Sequence, residues 1–295
     1  METARFKAFL AAAETGSFSR AAERLCYTPS GVSQLVNALE EELGFALLRR
    51  STRGVTLTAN GEVLLTAVRD LLAQEERIRQ LSSELKGLAT GRITIASLSS
   101  IATHWLPAVI REFLADYPQI EIKLMEGIEQ EVIGWLDEHM ADMAFMSYVE
   151  PMSWDWIPLA EDPMVAVLPR NHPLAGADSY PLENCMKESF IMPALGRDAD
   201  LIAMFRRNGY SPKIHFSTLE NYASLAMVEQ GLGMSIMNDL ITQNWQCNVV
   251  KLPLDPPQSI TMGVAVPSLE KAAPAAKQFL KYAVRRLTVS RQVRA

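Results

Sequence analysis

Cysteine is scarce in this chain, and its placement already excludes several classes of protein. Cys26, Cys185 and Cys247 are odd in number and widely separated. That argues against a disulfide framework or a zinc site and reads as three reduced, buried fillers. Histidine is equally sparse: His104, His139, His172 and His215 stand alone, without metal-ligand spacing. No nucleophile or acid–base pair stands out, so no catalytic residue, metal ligand or cofactor is expected. No apolar run approaches the roughly 20 residues of a membrane span. Ala8–Ala13, behind Arg5 and Lys7, falls short of the roughly 7–15 residues of a signal-peptide core. The expected location is the cytoplasm, with no membrane partner. The Gly231-Leu232-Gly233 turn lacks the surroundings of a dinucleotide fingerprint.

Strong positive charge is missing as well. The formal net charge is −6 over 295 residues, so no whole-molecule basic field marks nucleic-acid binding. The charge is unevenly divided, however: residues 1–60 carry seven basic and six acidic side chains, the remainder 21 and 28. Arg49, Arg50 and Arg53 gather beside Ser51 and Thr52, a local cluster able to meet phosphates on an acidic protein. The length fits two or three compact units.

What is present begins with three short helices. Phe6, Phe9, Leu10 and Ala13 keep helical spacing and stop at Thr15-Gly16. Ser17 or Ser19 starts a second helix with an apolar stripe of Ala21, Ala22 and Leu25. Thr28 is an N-cap for a third, with Pro29 in its first turn and Gly44 as its stop. Val32, Val36, Leu39 and Leu43 share one side of this helix, and Ser30, Ser33, Gln34 and Asn37 the other. A merely solvated face usually carries Lys and Glu. An uncharged face with Gln and Asn suits a reader of base edges in the major groove. Arg50–Leu57 reads as a hairpin, or wing, that offers Arg50 and Arg53 to phosphate or the minor groove. The expected DNA-contacting set is therefore Thr28, Ser30, Ser33, Gln34, Asn37, Arg50 and Arg53.

A long helix capped by Thr58 follows from about Ala59 to Leu88. Leu64, Val68, Leu71, Ile78 and Leu85 form an imperfect heptad seam, interrupted by Glu75 and Ser82. Such a stripe needs a partner, and a second copy is the simplest. After Gly87–Gly91 strands alternate with helices, the βαβ rhythm of a parallel sheet. The strands are Ile93–Ser97, Ile120–Met125, Met143–Ser147, Met164–Leu168, Phe190–Met192, Ile214–Ser217, Met234–Met237 and Ile260–Val266. The helices are Trp105–Tyr117, Glu129–His139, Ala199–Asn208, Leu219–Gln230 and about Leu269–Leu287. In open α/β sheets, ligands bind beyond the carboxyl ends of strands. Ser97-Leu98-Ser99-Ser100 brings hydroxyls and N–H groups to such an end, before a helix near Thr103, although simple capping is the alternative. The expected ligand-contacting set is Ser99, Ser100, Thr103, Ser147, Pro193, Arg197, Thr218 and Met234. Arg197 is the cation nearest these loops and a candidate for an effector carboxylate.

The first 61 residues resemble the LysR-type transcriptional regulator family. The pattern is Phe6, Phe9, Ala13, Gly16-Ser17-Phe18-Ser19, Ala21-Ala22, Leu25, Ser30, Val32-Ser33, Leu39-Glu40, Leu43-Gly44, Leu47, Arg50, Val55, Leu57-Thr58 and Gly61. It continues through Leu106-Pro107, Phe113, Tyr117-Pro118 and Val228 with Gly231-Leu232-Gly233. The resemblance implies an α/β protein: an N-terminal winged helix-turn-helix, a long linker helix, and a two-lobed effector domain like a periplasmic binding protein. On that plan residues 1–58 bind DNA, 59–90 form the dimerisation helix, and 91–295 form the effector domain. Lobe I spans about 91–161 and 265–295, and lobe II about 162–264, with crossovers near Glu161–Pro163 and Thr261–Ala265. The implied partners are double-stranded DNA with a palindromic operator, a small-molecule effector, identical chains in a homodimer or homotetramer, and RNA polymerase. Pro29 stands where the family often has Gln, which removes one base contact, and Leu48 stands where Phe is usual. A constitutive DNA-binding protein without an effector is the rival reading. An enzyme would need the acid–base pair that is missing, and an exported solute-binding protein would not explain the first 90 residues.

Overall fold

The computed structural model describes residues 2–51, 54–85 and 90–289. It divides into two compact units, Met1–Gly91 with Asp137–Met140, and Arg92–Leu136 with Ala141–Ala295. The first unit opens with α1 (Thr3–Thr15), α2 (Phe18–Leu25) and α3 (Pro29–Leu43). Ser17 caps α2, accepting from the Arg20 N–H, and Thr28 caps α3, accepting from the Gly31 N–H at 3.1 Å. Both helices end on a residue with positive φ, Cys26 and Gly44. Phe6, Phe9, Ala21, Ala22, Val32, Val36 and Leu39 meet in one core, so the apolar sides read from spacing are the buried ones. The wing is β1 (Leu48–Ser51) against β2 (Gly54–Leu57), antiparallel, with Arg50 opposite Val55. Its tip residues Thr52 and Arg53 lie outside the described residues, as do Gly87 and Leu88.

The linker helix α4 (Ala59–Leu85) is capped by Thr58, whose Oγ1 accepts from the Gly61 N–H at 3.0 Å and donates to the Ala46 carbonyl at 2.8 Å. A side chain at Gly61 would lie 2.2 Å from the Leu47 carbonyl oxygen, so glycine is required for α4 to pass the wing. The expected seam divides. Leu64 and Val68, with Leu65 and Leu72, pack into the N-terminal core. Leu71, Ile78 and Leu85 repeat every seven residues and are exposed. Glu75 interrupts the stripe because it turns to α1, accepting from Lys7 Nζ at 2.7 Å and from Arg79.

The second unit runs β3 (Gly91–Leu98), α5 (Ser99–His104), α6 (Leu106–Asp116), β4 (Ile120–Gly127), α7 (Glu129–Asp137), β5 (Met143–Ser147), β6 (Asp155–Pro169), β7 (Tyr180–Pro181), β8 (Phe190–Met192), α8 (Ala199–Asn208), β9 (Ile214–Ser217), α9 (Asn221–Glu229), β10 (Ser235–Asn238), α10 (Asp239–Thr242), β11 (Val249–Asp255), β12 (Ser259–Val266) and α11 (Pro274–Val289). The sheet order is β4-β3-β5-β12-β6-β11-β7, with β10 also on β6. It is mixed, which corrects the expectation of a parallel sheet. The β3–β5 pair is parallel, whereas β12 is antiparallel to both β5 and β6. The N-terminal half of β6 pairs with β12, from Asp155 opposite Val266 to Pro163 opposite Ser259. Its C-terminal half carries β10 and β11. β6 is thus a long strand shared by β12 at one end and by β10 and β11 at the other, and the expected crossovers near Glu161–Pro163 and Thr261–Ala265 lie within β6 and β12. Phe113 packs edge-to-face on Phe279 at 5.2 Å, and Val165, Val167, Ile191, Leu225 and Val228 form a separate cluster.

Candidate nucleic-acid interface and effector cleft

On α3 the side opposite the core carries Ser30, Gln34 and Asn37 exposed and Ser33 half-buried. Thr28 serves as the N-cap and also meets Ser30 Oγ, at 3.1 Å. Arg50 does not reach out from the wing as expected. It donates through Nη1 to Ser33 Oγ at 3.0 Å and through Nη2 to Asn37 Oδ1. Its guanidinium also lies 4.7 Å from the centre of the Phe18 ring. The cause is local: β1 starts where Glu40 Oε1 accepts from the Leu47 and Leu48 N–H groups at 2.7 and 2.9 Å. This fastens the wing strand to α3, and Glu40, one turn beyond Asn37, offered a sequence signal that was missed. Arg50 therefore joins the polar face of α3. Arg53 lies outside the described residues.

The second unit holds a cavity of about 320 Å³, and Ser99, Ser100, Ser147 and Arg197 are among the residues lining it. Thr103 lines a smaller adjoining cavity with Ser99 and Ser100. Pro193, Thr218 and Met234 line neither. Pro193 is buried and precedes Ala194, which does line the cleft. Thr218 bonds locally, its Oγ1 donating to the Glu220 carbonyl at 3.1 Å and meeting Ser224 Oγ. Met234 is 1% exposed, its backbone held by Ser189 and Ile191. Strand-end position brings a backbone to the cleft, but side-chain direction then decides which residues face it. The Ser97–Ser100 expectation also needs correction in detail, since α5 begins at Ser99 and no side chain caps it.

Sequence reasoning missed the acidic side of this cleft. Glu129 at the start of α7 and Asp198 and Asp200 at the start of α8 line it together. Burial first, then the Asp200 and Asp198 charges, push the Glu129 carboxyl up to about 7. Burial and Asp198 push Asp200 up to about 6. Asp198 is raised by burial, against N–H groups of Leu201 and Asp200 that favour its charge. Deeper in the lobe, Asp162 accepts from the Leu240 N–H at 3.1 Å and from Asn238 Nδ2, and burial raises it to about 6. Among the described residues no cluster of His, Cys, Asp and Glu could hold a metal ion. No helix among them is long and apolar enough to cross a membrane.

The chain matches the bacterial regulatory helix-turn-helix protein, lysR family, over residues 3–62 and the LysR substrate binding domain over residues 86–288. It is 34% identical over 287 residues to the uncharacterized HTH-type transcriptional regulator YvbU of Bacillus subtilis (strain 168), with 96% of this chain and 98% of that protein covered. Its fold is similar to a full-length OxyR variant from Pseudomonas aeruginosa, with a TM-score of 0.80 at 20% identity over 98% of both chains. It is also similar to the effector binding domain of QuiR in complex with shikimate, with a TM-score of 0.60 at 25% identity over 68% of this chain and 98% of that one. The helix-turn-helix of the first unit and the α/β second unit up to residue 288 fall within the residues that the two family models match. On fold and sequence together, this chain is not an enzyme but a DNA-binding transcriptional regulator of the LysR family.

Proposed function

We propose that the chain reads a palindromic operator with the exposed face of α3 and that a small molecule in the second unit's cleft modulates this binding. The observation that carries the first part is the uncharged polar face of Ser30, Ser33, Gln34 and Asn37, with Arg50 laid along it. Gln and Asn hold bidentate hydrogen-bonding groups for adenine, and Arg for guanine. Residues 1–58 act as the DNA-binding domain, 59–90 as the dimerisation helix and 91–295 as the effector domain, with lobes parted at β6 and β12. Leu71, Ile78 and Leu85 supply the exposed stripe for a second copy. A cytoplasmic homodimer or homotetramer that also contacts RNA polymerase completes this reading.

Selection of bound fragments from a random DNA library tests the first part, followed by titration of variants on the selected site. Gln34→Ala should cost roughly 1–3 kcal/mol of specific binding and relax preference at one position. Arg50→Ala should do the same at the position read by Asn37, because it removes a partner of that side chain. An Arg50→Ala protein that weakens all sequences equally would return Arg50 to a phosphate role.

A further inference from the structure

Six acidic residues line the cleft, Glu126, Glu129, Glu131, Asp198, Asp200 and Glu220, against one basic residue, Arg197. Helix capping accounts for two of them. Asp198 accepts from the Leu201 N–H at 2.9 Å, and Glu131 from the Ile128 N–H at 3.0 Å. Glu129 and Asp200 are not explained in this way. They line the cleft from different helices, α7 and α8, and the Asp200 charge adds to the cost of ionising Glu129. The Ala199 N–H relieves Glu129 only in part, as the Ser147 hydroxyl and Arg207 do Asp200. Carboxylates held together in a half-buried site are unfavourable without a counter-charge.

A second observation concerns a buried hydroxyl beside Asp200. Ser147 is 1% exposed and lines the same cavity, yet among the described residues its Oγ has no hydrogen-bond partner. It faces Asp200 closely enough to favour that charge but outside ordinary hydrogen-bond geometry. A buried hydroxyl left in this way is unfavourable until something in the cavity meets it.

We propose that the molecule this cleft takes is a small organic cation, a protonated amine, whose N–H groups bridge Glu129 and Asp200 and donate to Ser147 Oγ. The proposal rests on reading the cleft as the effector site and names the ligand class for it. An ammonium offers three donors and no acceptor, the complement of two carboxylates and a hydroxyl oxygen. The carboxylate effector expected from Arg197 would instead face the six acids. A ligand that neutralises Glu129 and Asp200 also removes the repulsion between α7 and α8, so it favours the arrangement in which they stand close.

The test is calorimetric titration of the full chain near pH 8, where Glu129 is charged, with three matched probes: a four-carbon diamine, diol and dicarboxylate. The diamine should bind at least about tenfold more tightly than the other two. It should lose at least about tenfold in affinity in each of Glu129→Gln and Asp200→Asn, with circular dichroism confirming that both variants fold. Equal or tighter binding of the diol or the dicarboxylate overturns the cation assignment while leaving a ligand in the cleft. Diamine binding that both variants retain overturns it too, because the amine then sits elsewhere. Silence from all three probes also overturns it, and the effector reading is then judged separately by a cleft-blocking substitution at Ser100.

Discussion

Glu129 keeps a proton over a pH range in which an exposed glutamate has lost it, because burial and the Asp200 and Asp198 charges oppose ionisation. Its carboxyl rises from the ordinary 4.5 to about 7 in the folded protein. Below the lower value both folded and unfolded chains are protonated and the group is neutral to stability. Between the two values the folded chain holds a proton that the unfolded chain has released, so stability falls as pH rises. Glu129→Gln removes this dependence. The variant and the parent should melt together near pH 4, and the variant should be the more stable by about 1 kcal/mol at pH 8, once screening of a partly exposed group is allowed for. Thermal denaturation across that range measures it, and a difference that does not grow with pH would show that Glu129 is not ionised against its neighbours. None of this was legible in the chain. Glu129 and Asp200 lie 71 positions apart, and each looks like an ordinary acid in the first turn of a helix. The serines were legible, because Ser99, Ser100 and Ser147 follow or end apolar runs that read as strands.

At the scale of elements, period and capping carried the N-terminal helices, and what they left out has identifiable causes. The first half of β6 escaped notice because Asp155-Trp156-Ile157-Pro158 mixes charge and proline into the run. Lys251 and Pro253 hid β11 in the same way. β10 and β12 were read as strands, but their antiparallel direction cannot be told from their apolar runs, so the alternation with helices suggested a parallel sheet. On α4 the heptad spacing was legible, but not its division between two faces. That division separates two outcomes. Val68→Asp puts a charge into the N-terminal core and should lower the melting temperature of that unit. Leu71→Asp puts one on the exposed stripe, where Leu71 is 40% open. It should leave folding intact, turn the proposed dimer into monomer in sedimentation, and weaken binding to a palindrome whose half-sites lie one helical turn or a multiple apart. An unchanged sedimentation coefficient would move the interface off this stripe.

At the scale of the whole molecule, regulation requires a coupling free energy between the cleft and the operator. A ligand shifts DNA binding only if it prefers one arrangement of the protein, typically by about 1–3 kcal/mol. The coupling is reciprocal. A ligand that strengthens or weakens operator binding by some factor must itself be bound more or less tightly by that factor when the operator is present. β6 and β12 are placed to carry the first step, since β6 pairs with β12 along its first half and with β10 and β11 along its second, and Ile260 and Met262 of β12 line the cleft. Ser100, in the first turn of α5, lines the same cleft. Ser100→Leu adds bulk there without touching α3 or the wing. Operator affinity in the absence of ligand should stay within about twofold, while the ligand-dependent change in that affinity and the operator-dependent change in ligand affinity disappear together. Paired titrations of both binding reactions, each with and without the other ligand, measure the two factors. Loss of one factor with retention of the other would violate linkage for a single cleft and point to a second ligand site. A Ser100→Leu protein that keeps both places the effector outside this cleft.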